Sequence, residues 1–160
     1  MKPQNKDKTK DKDDWSKLWP SRDAAKSAPL LKALHILTRD GALNADSRRK
    51  LTQVLHLTQL LRPALDKMLA DAETPVLADL GAGKSYLGFI LYDLVVGPAG
   101  HGRVIGIETR EQLVEASRAL AAQSGFERME FIAAPIAEAT LPGGKVDMVI
   151  NRFDSMPQSF

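Results

Sequence analysis

The run Val76-Leu-Ala-Asp-Leu80 is followed at once by Gly81-Ala-Gly83, and the residues after it have helix-like apolar spacing. A strand feeding a glycine turn at a helix N-terminus commits the chain to an open α/β sheet with a ligand crevice at its strand ends. A Cβ at either glycine would obstruct a bound group or forbid the turn's φ angles. The ligand class is then set by the residues around the turn.

Three classes compete. A P-loop requires G-x-x-x-x-G-K-[ST]; Gly83-Lys84-Ser85 supplies its ending, but Ala78 stands at the first glycine, and Asp79 would face the polyphosphate. The apolar run Val146-Asp-Met-Val-Ile150 ends in Asn151 and lacks the acid that helps hold Mg²⁺ in such folds. The dinucleotide fingerprint G-x-G-x-x-G fails at Tyr86, whose ring would obstruct close helix-strand packing. The third class is the adenosylmethionine site, whose first motif resembles D-x-G-x-G, and Asp79-Leu-Gly81-Ala-Gly83 fits it at every named position.

A ribose demands a carboxylate for its two vicinal hydroxyls. Arg103-Val-Ile-Gly-Ile107 reads as the next strand and ends in Glu108, about 25 residues past the turn, close to the interval of about 20 for one βαβ unit. Glu108 also suits the bland role of an acid capping the helix that starts near Thr109.

The stretch Ala78-Asp-Leu-Gly-Ala-Gly-Lys-Ser-Tyr-Leu-Gly-Phe89 resembles the first motif of class I SAM-dependent methyltransferases, in particular bacterial ones reading D-x-G-x-G-K-x-Y-L. These are related to eukaryotic methyltransferase-like proteins and tRNA ribose methyltransferases. Asn44-Ala-Asp-Ser-Arg-Arg-Lys50, with Gln53 and His56, is similar to the basic helix that precedes the core in that group. The resemblance implies a Rossmann-like sheet in the order 3-2-1-4 and S-adenosylmethionine as cofactor, while zero cysteine and the lack of any long apolar run point to the cytoplasm. It also implies that Asp79, Gly81 and Gly83, with Ala82 between them, lie at the donor's amino-acid end and that Glu108 holds the ribose; Lys84 either neutralises the donor's carboxylate or points to solvent, and where related enzymes often set an acid against adenine this chain has Ile136, an apolar side chain suited to packing on the purine. A catalytic residue from the end of strand 4 would be Asn151 or Asp154, on position alone.

The resemblance also implies about seven strands, whereas this chain supplies four strand-like runs, at 75–80, 103–107, 129–134 and 145–150. The pattern departs at Asn151-Arg-Phe-Asp-Ser155, where the group has a His-Ala-Cys-Asp-like segment. The expectation is half a sheet, truncated after its fourth strand, with 145–150 as a free edge able to self-associate.

The expected organisation is a disordered Lys/Asp-rich tail over 1–22, a helical lid or platform over 23–72, the SAM-binding half-domain over 73–150 and a tail over 151–160. Met1–Asp14 has almost no apolar residue with which to offset its ordering entropy. Trp15 and Trp19 stand one helical turn apart and suit either packing or docking. Ser27 should cap a helix that has Pro29 in its first turn and stops at Gly41; Asn44 or Asp46 should cap the next, which Pro63 should bend or divide. Ser85–Val96 should be a helix ended by Gly97-Pro98. A further helix over Glu111–Ser124 should turn Leu113, Val114, Ala116 and Leu120 to the sheet.

A net charge of +2 gives no strong attraction to nucleic acid, but Arg48, Arg49 and Lys50 cluster in a first helical turn, where the dipole disfavours them. They read either as a solvated face or as a surface for a phosphate-bearing acceptor such as RNA. With no cysteine, and with His35, His56 and His101 far apart in the chain, no metal site is expected. No run is apolar and long enough for a membrane span. Three functions stand: a methyltransferase of unidentified acceptor, a non-catalytic relic or SAM-binding module, and a P-loop nucleotide binder.

Overall fold

In this computed structural model, which describes residues 15–21 and 23–151, the apolar runs form β1 (Val76–Leu80), β2 (Arg103–Glu108), β3 (Met129–Ala133) and β4 (Met148–Asn151). The expected tail over 1–14 and the candidate Asp154 lie outside the described residues. All pairings are parallel, in the order β3-β2-β1-β4. The order reverses at β1, whose successors lie on opposite sides of it, and a ligand crevice opens at such a switch point. β1 and β2 are buried nearly throughout, which explains why they read as continuous apolar runs. β4 begins later than expected because Asp147 is taken up in pinning it. The Val76 N–H donates to Asp147 Oδ2 (2.8 Å), and the Asp147 N–H donates to the Val76 carbonyl (2.9 Å).

The chain divides into two compact units, Met1–Leu55 and His56–Phe160, and the division falls within a helix. In the first unit, α1 (Trp15–Leu18) lies inside the stretch expected to be a disordered tail, and Trp15 and Trp19 are buried. Burial of the two indole rings offsets the entropy lost in ordering this short helix. Next comes α2 (Ala24–Ala33), which starts before and ends before the expected helix; Ser27 is buried within it and Pro29 lies in its interior. Its end is a Schellman motif: His35 is left-handed (φ 57°), its N–H donates to Lys32, and the Ile36 N–H donates to Leu31. Gly41 serves a separate turn in which Thr38 and Ala42 bond. The long helix α3 (Ala45–Asp71) is capped by Asn44, whose Oδ1 accepts the Ser47 N–H (2.8 Å). Pro63 does not divide it, since the missing donor frees one carbonyl, that of Gln59, on an exposed side of the helix.

In the second unit, α4 (Tyr86–Leu91) widens into a π-turn at Tyr92–Val96 and continues through α5 (Gly97–Ala99). Gly97-Pro98 therefore reshapes the helix where it was expected to end it. Pro98 has no N–H to give, the Gly97 N–H reaches back to the Tyr92 carbonyl, and left-handed Gly100 provides the stop. Arg128 collects the carbonyls left over, donating to Val96, Gly97 and Gly102, with its guanidinium over the Tyr92 ring. The helix α6 (Glu111–Gln123) lies against β2 and β3. It buries Val114, Ser117 and Ala121; Ala116 is exposed, and Leu113 and Leu120 are half-buried. Phe89 stacks on Phe131 (5.7 Å between ring centres), and Tyr92 meets Phe126 (4.5 Å). These rings fix α4 over the sheet face that carries Asp79, Gly106 and Glu108. Among the described residues, no helix is long and apolar enough to cross a membrane.

Candidate functional site

The turn from β1 into α4 takes its shape from three left-handed residues at alternate positions: Gly81 (φ 64°), Gly83 (φ 57°) and Ser85 (φ 58°). Ala82 between the glycines is buried. Its N–H donates to the Ile107 carbonyl (2.9 Å), and its own carbonyl accepts the Ser85 N–H (2.7 Å). With Ala82 anchored inward, Gly81 faces open space, where a Cβ would meet nothing within 4 Å. The turn thus presents bare backbone to the crevice.

Glu108 comes to the same place from β2. Its side chain is 8 % exposed, and its Oε1 accepts the Gly83 N–H at 3.2 Å, so the two motifs read from sequence meet in space. Oε1 also accepts from Arg110 Nη2 (3.1 Å), while Oε2 accepts from the Arg110 N–H (2.8 Å), Arg110 Nε (3.1 Å) and Thr109 Oγ1 (3.3 Å). The Arg110 guanidinium, ahead of all else, holds the carboxyl down to about 2; the Arg110 and Gly83 backbone N–H groups add to it against the opposing effect of burial. Glu108 is therefore a carboxylate at any physiological pH.

The other expected residues are placed as follows. Asp79 is buried beneath α4, where a Cβ at Gly88 would come within 3.2 Å of its Oδ2; glycine at position 88 leaves room for the carboxylate. Lys84 is exposed. Ile136 is 48 % exposed just after β3, and the adjoining Ala134 N–H donates to the Glu108 carbonyl (3.1 Å), which ties that segment to the end of β2. Asn151 is exposed and lies opposite Leu80 in register, one residue before the glycine turn. Arg48, Arg49 and Lys50 belong to the unit Met1–Leu55; the first two are exposed, and Lys50 pairs with Asp46 (3.2 Å). Among the described residues, no group of three His, Cys, Asp or Glu side chains could hold a metal.

Two residues that sequence reasoning did not single out shape the site. Ser85 is buried, its Oγ has no hydrogen-bond partner among the described residues, and it adopts a conformation disfavoured for any residue with a Cβ. Its signal was the alternation Gly81-x-Gly83-x-Ser85, which places it where the turn's third left-handed position falls. Arg110 could have been found as a guanidinium two residues beyond a strand-end acid. A cavity of about 540 Å³ lies instead at the N-terminal ends of β1 and β2, bounded by Glu73, Val76, Arg103 and Lys145. It is at the other end of the strands from the glycine turn.

The family model described as a methyltransferase domain matches residues 49–151. No curated protein matches. Among solved structures, the chain is similar to the YcgJ protein of Bacillus subtilis (20 % identity, TM-score 0.40), covering 57 % of this chain and 38 % of that one. It is also similar to a protein-L-isoaspartate O-methyltransferase (14 %, TM-score 0.44), covering 55 % and 27 % respectively. A third is a SAM-dependent methyltransferase from Aquifex aeolicus (20 %, TM-score 0.40), covering 62 % and 55 %. The chain thus spans between about a quarter and just over half of the length of these three structures.

Proposed function

We propose, since this chain belongs to the methyltransferase-domain family, that its glycine turn and Glu108 bind S-adenosylmethionine for methyl transfer to an acceptor. The observation that carries this reading is the Gly83–Glu108 hydrogen bond, which couples a bare-backbone turn to a buried carboxylate at the switch point of the sheet. The open space at Gly81 fits a ligand that lies against the turn. The buried, ionised Glu108 fits a vicinal diol, which would donate one hydrogen bond to each oxygen.

S-adenosylmethionine, when bound, supplies an activated methyl group whose transfer demands alignment with a nucleophile above all. The chain's part is to orient and to exclude water. Glu108 would fix the ribose, and the backbone of Gly81 and Gly83 would admit the amino-acid end. Lys84, exposed beside them, would balance its carboxylate. Ile136, exposed at the same end of the sheet, would cover the purine. Asn151 sits at the end of β4, where an acceptor would approach.

For the acceptor, the proposal is a phosphate-bearing molecule such as RNA, engaged by Arg48 and Arg49. Both are exposed near the N-terminus of α3, where a positive charge opposes the helix dipole. The test is transfer of tritiated methyl from S-adenosylmethionine into total RNA, with Arg48→Ala/Arg49→Ala beside the wild type. Label in RNA that falls with the double substitution supports the reading. Donor binding without label in any acceptor would assign the chain to the non-catalytic binding modules.

A further inference from the structure

Resting on the reading of Glu108 as the ribose acceptor, we propose that Arg110 is a displaceable latch. Its side chain lies on the two positions of Glu108 that a vicinal diol would take, and ligand binding must exchange one for the other.

The conflict lies in the lone pairs of Glu108. A carboxylate offers about four acceptor sites, two on each oxygen. Oε1 receives Gly83 N–H and Arg110 Nη2; Oε2 receives Arg110 N–H, Arg110 Nε and Thr109 Oγ1. Glu108 is fully subscribed, with no room for two hydroxyl donors. The two backbone donors come from the glycine turn and the loop after β2, which the sheet fixes. The guanidinium is the part that can leave, since the Arg110 side chain is 61 % exposed whereas that of Glu108 is 8 % exposed. When it leaves, Oε1 keeps only the Gly83 N–H, and Oε2 keeps the Arg110 N–H and the rotatable Thr109 hydroxyl at 3.3 Å, so a diol finds one open site on Oε1 and needs only Thr109 Oγ1 to turn aside on Oε2.

A second overlap points the same way. Arg110 Nη2 lies 3.7 Å from where a Cβ on Gly83 would sit, so the guanidinium reaches over the glycine turn that the ligand must also approach. The latch also has a reason to exist in the free protein. A buried carboxylate stripped of partners is costly, and Arg110 supplies charge-assisted donors until a ligand takes their place. Because the guanidinium is largely exposed, the pair is weak enough to be displaced.

The experiment measures S-adenosylmethionine binding by calorimetry and stopped-flow for the wild type, Arg110→Ala and Glu108→Gln, each shown to be folded by its thermal transition. Adenosine and 2′,3′-dideoxyadenosine are competed against it. The latch predicts that Arg110→Ala binds S-adenosylmethionine about two- to five-fold more tightly, because the largely exposed guanidinium no longer competes for Glu108. The gain should appear in the association rate, should extend to adenosine, and should be absent for the dideoxy analogue. If Arg110→Ala binds equally or more weakly while Glu108→Gln loses affinity, the latch is overturned and the ribose reading stands. If Glu108→Gln binds as the wild type does, or if neither the wild type nor Arg110→Ala binds, the ribose reading falls and the latch falls with it.

Discussion

Glu108 and Ser85 are where this site departs most from ordinary surface chemistry. With its carboxyl held at about 2 against an ordinary 4.5, Glu108 binds fewer protons in the folded than in the unfolded chain. Its stabilising contribution is therefore complete above about pH 4.5 and is lost as pH falls toward about 2. Glu108→Gln should be less stable than the wild type near neutrality, and the gap should close across that window; urea midpoints measured at several pH values check it. A gap that persists in acid would mean that shape rather than charge holds the contact. Ser85 carries two costs, a left-handed backbone and a buried hydroxyl with no partner among the described residues. Ser85→Gly should raise the unfolding free energy by about 1 kcal/mol, net of the entropy that glycine adds to the unfolded chain. Loss of stability on that change would show the hydroxyl to be engaged.

At the scale of elements, the sheet face under α4 depends on two glycines, Gly88 over Asp79 and Gly106 beside Phe131, that read in sequence only as ordinary small residues. A Cβ at Gly106 would lie 2.8 Å from Phe131 Cδ1 and 3.4 Å from the Ala82 Cβ, and the Phe131 ring is itself pinned by Phe89. Gly106→Ala should cost about 1–3 kcal/mol of stability and weaken ligand binding through Ala82, which anchors the glycine turn. Chemical denaturation and titration of the same variant check both, and an unperturbed variant would show that the ring can yield. The strands, their parallel sense and the Asp79-to-Gly83 turn were legible because apolar run length and glycine placement are local signals. The helix limits were not. A Schellman motif on His35 ended α2 where Gly41 was expected to, and Pro98 with Gly97 made a π-turn where a stop was expected. These outcomes depend on which carbonyls find donors, and in the second case the partner, Arg128, lies some thirty residues away. The meeting of Gly83 with Glu108 was legible as a spacing; the two guanidinium donors on Glu108 were not, because they depend on the rotamer of Arg110.

On the scale of the whole molecule, the family match over residues 49–151 includes part of α3 and the entire described sheet. The buried aromatic cluster and the Arg128 network make the unit His56–Phe160 a scaffold that presents one end of four strands. The glycine turn and Glu108 of this unit face each other at the end of β1. The most direct test is isothermal titration of the folded protein with S-adenosylmethionine, beside folded Glu108→Ala and Asp79→Ala variants. The account predicts saturable binding by the wild type that Glu108→Ala weakens about ten-fold or more, as expected for lost hydrogen bonds to a charged group. A folded wild type that takes up no S-adenosylmethionine, or a Glu108→Ala variant that binds it equally well, would contradict the account.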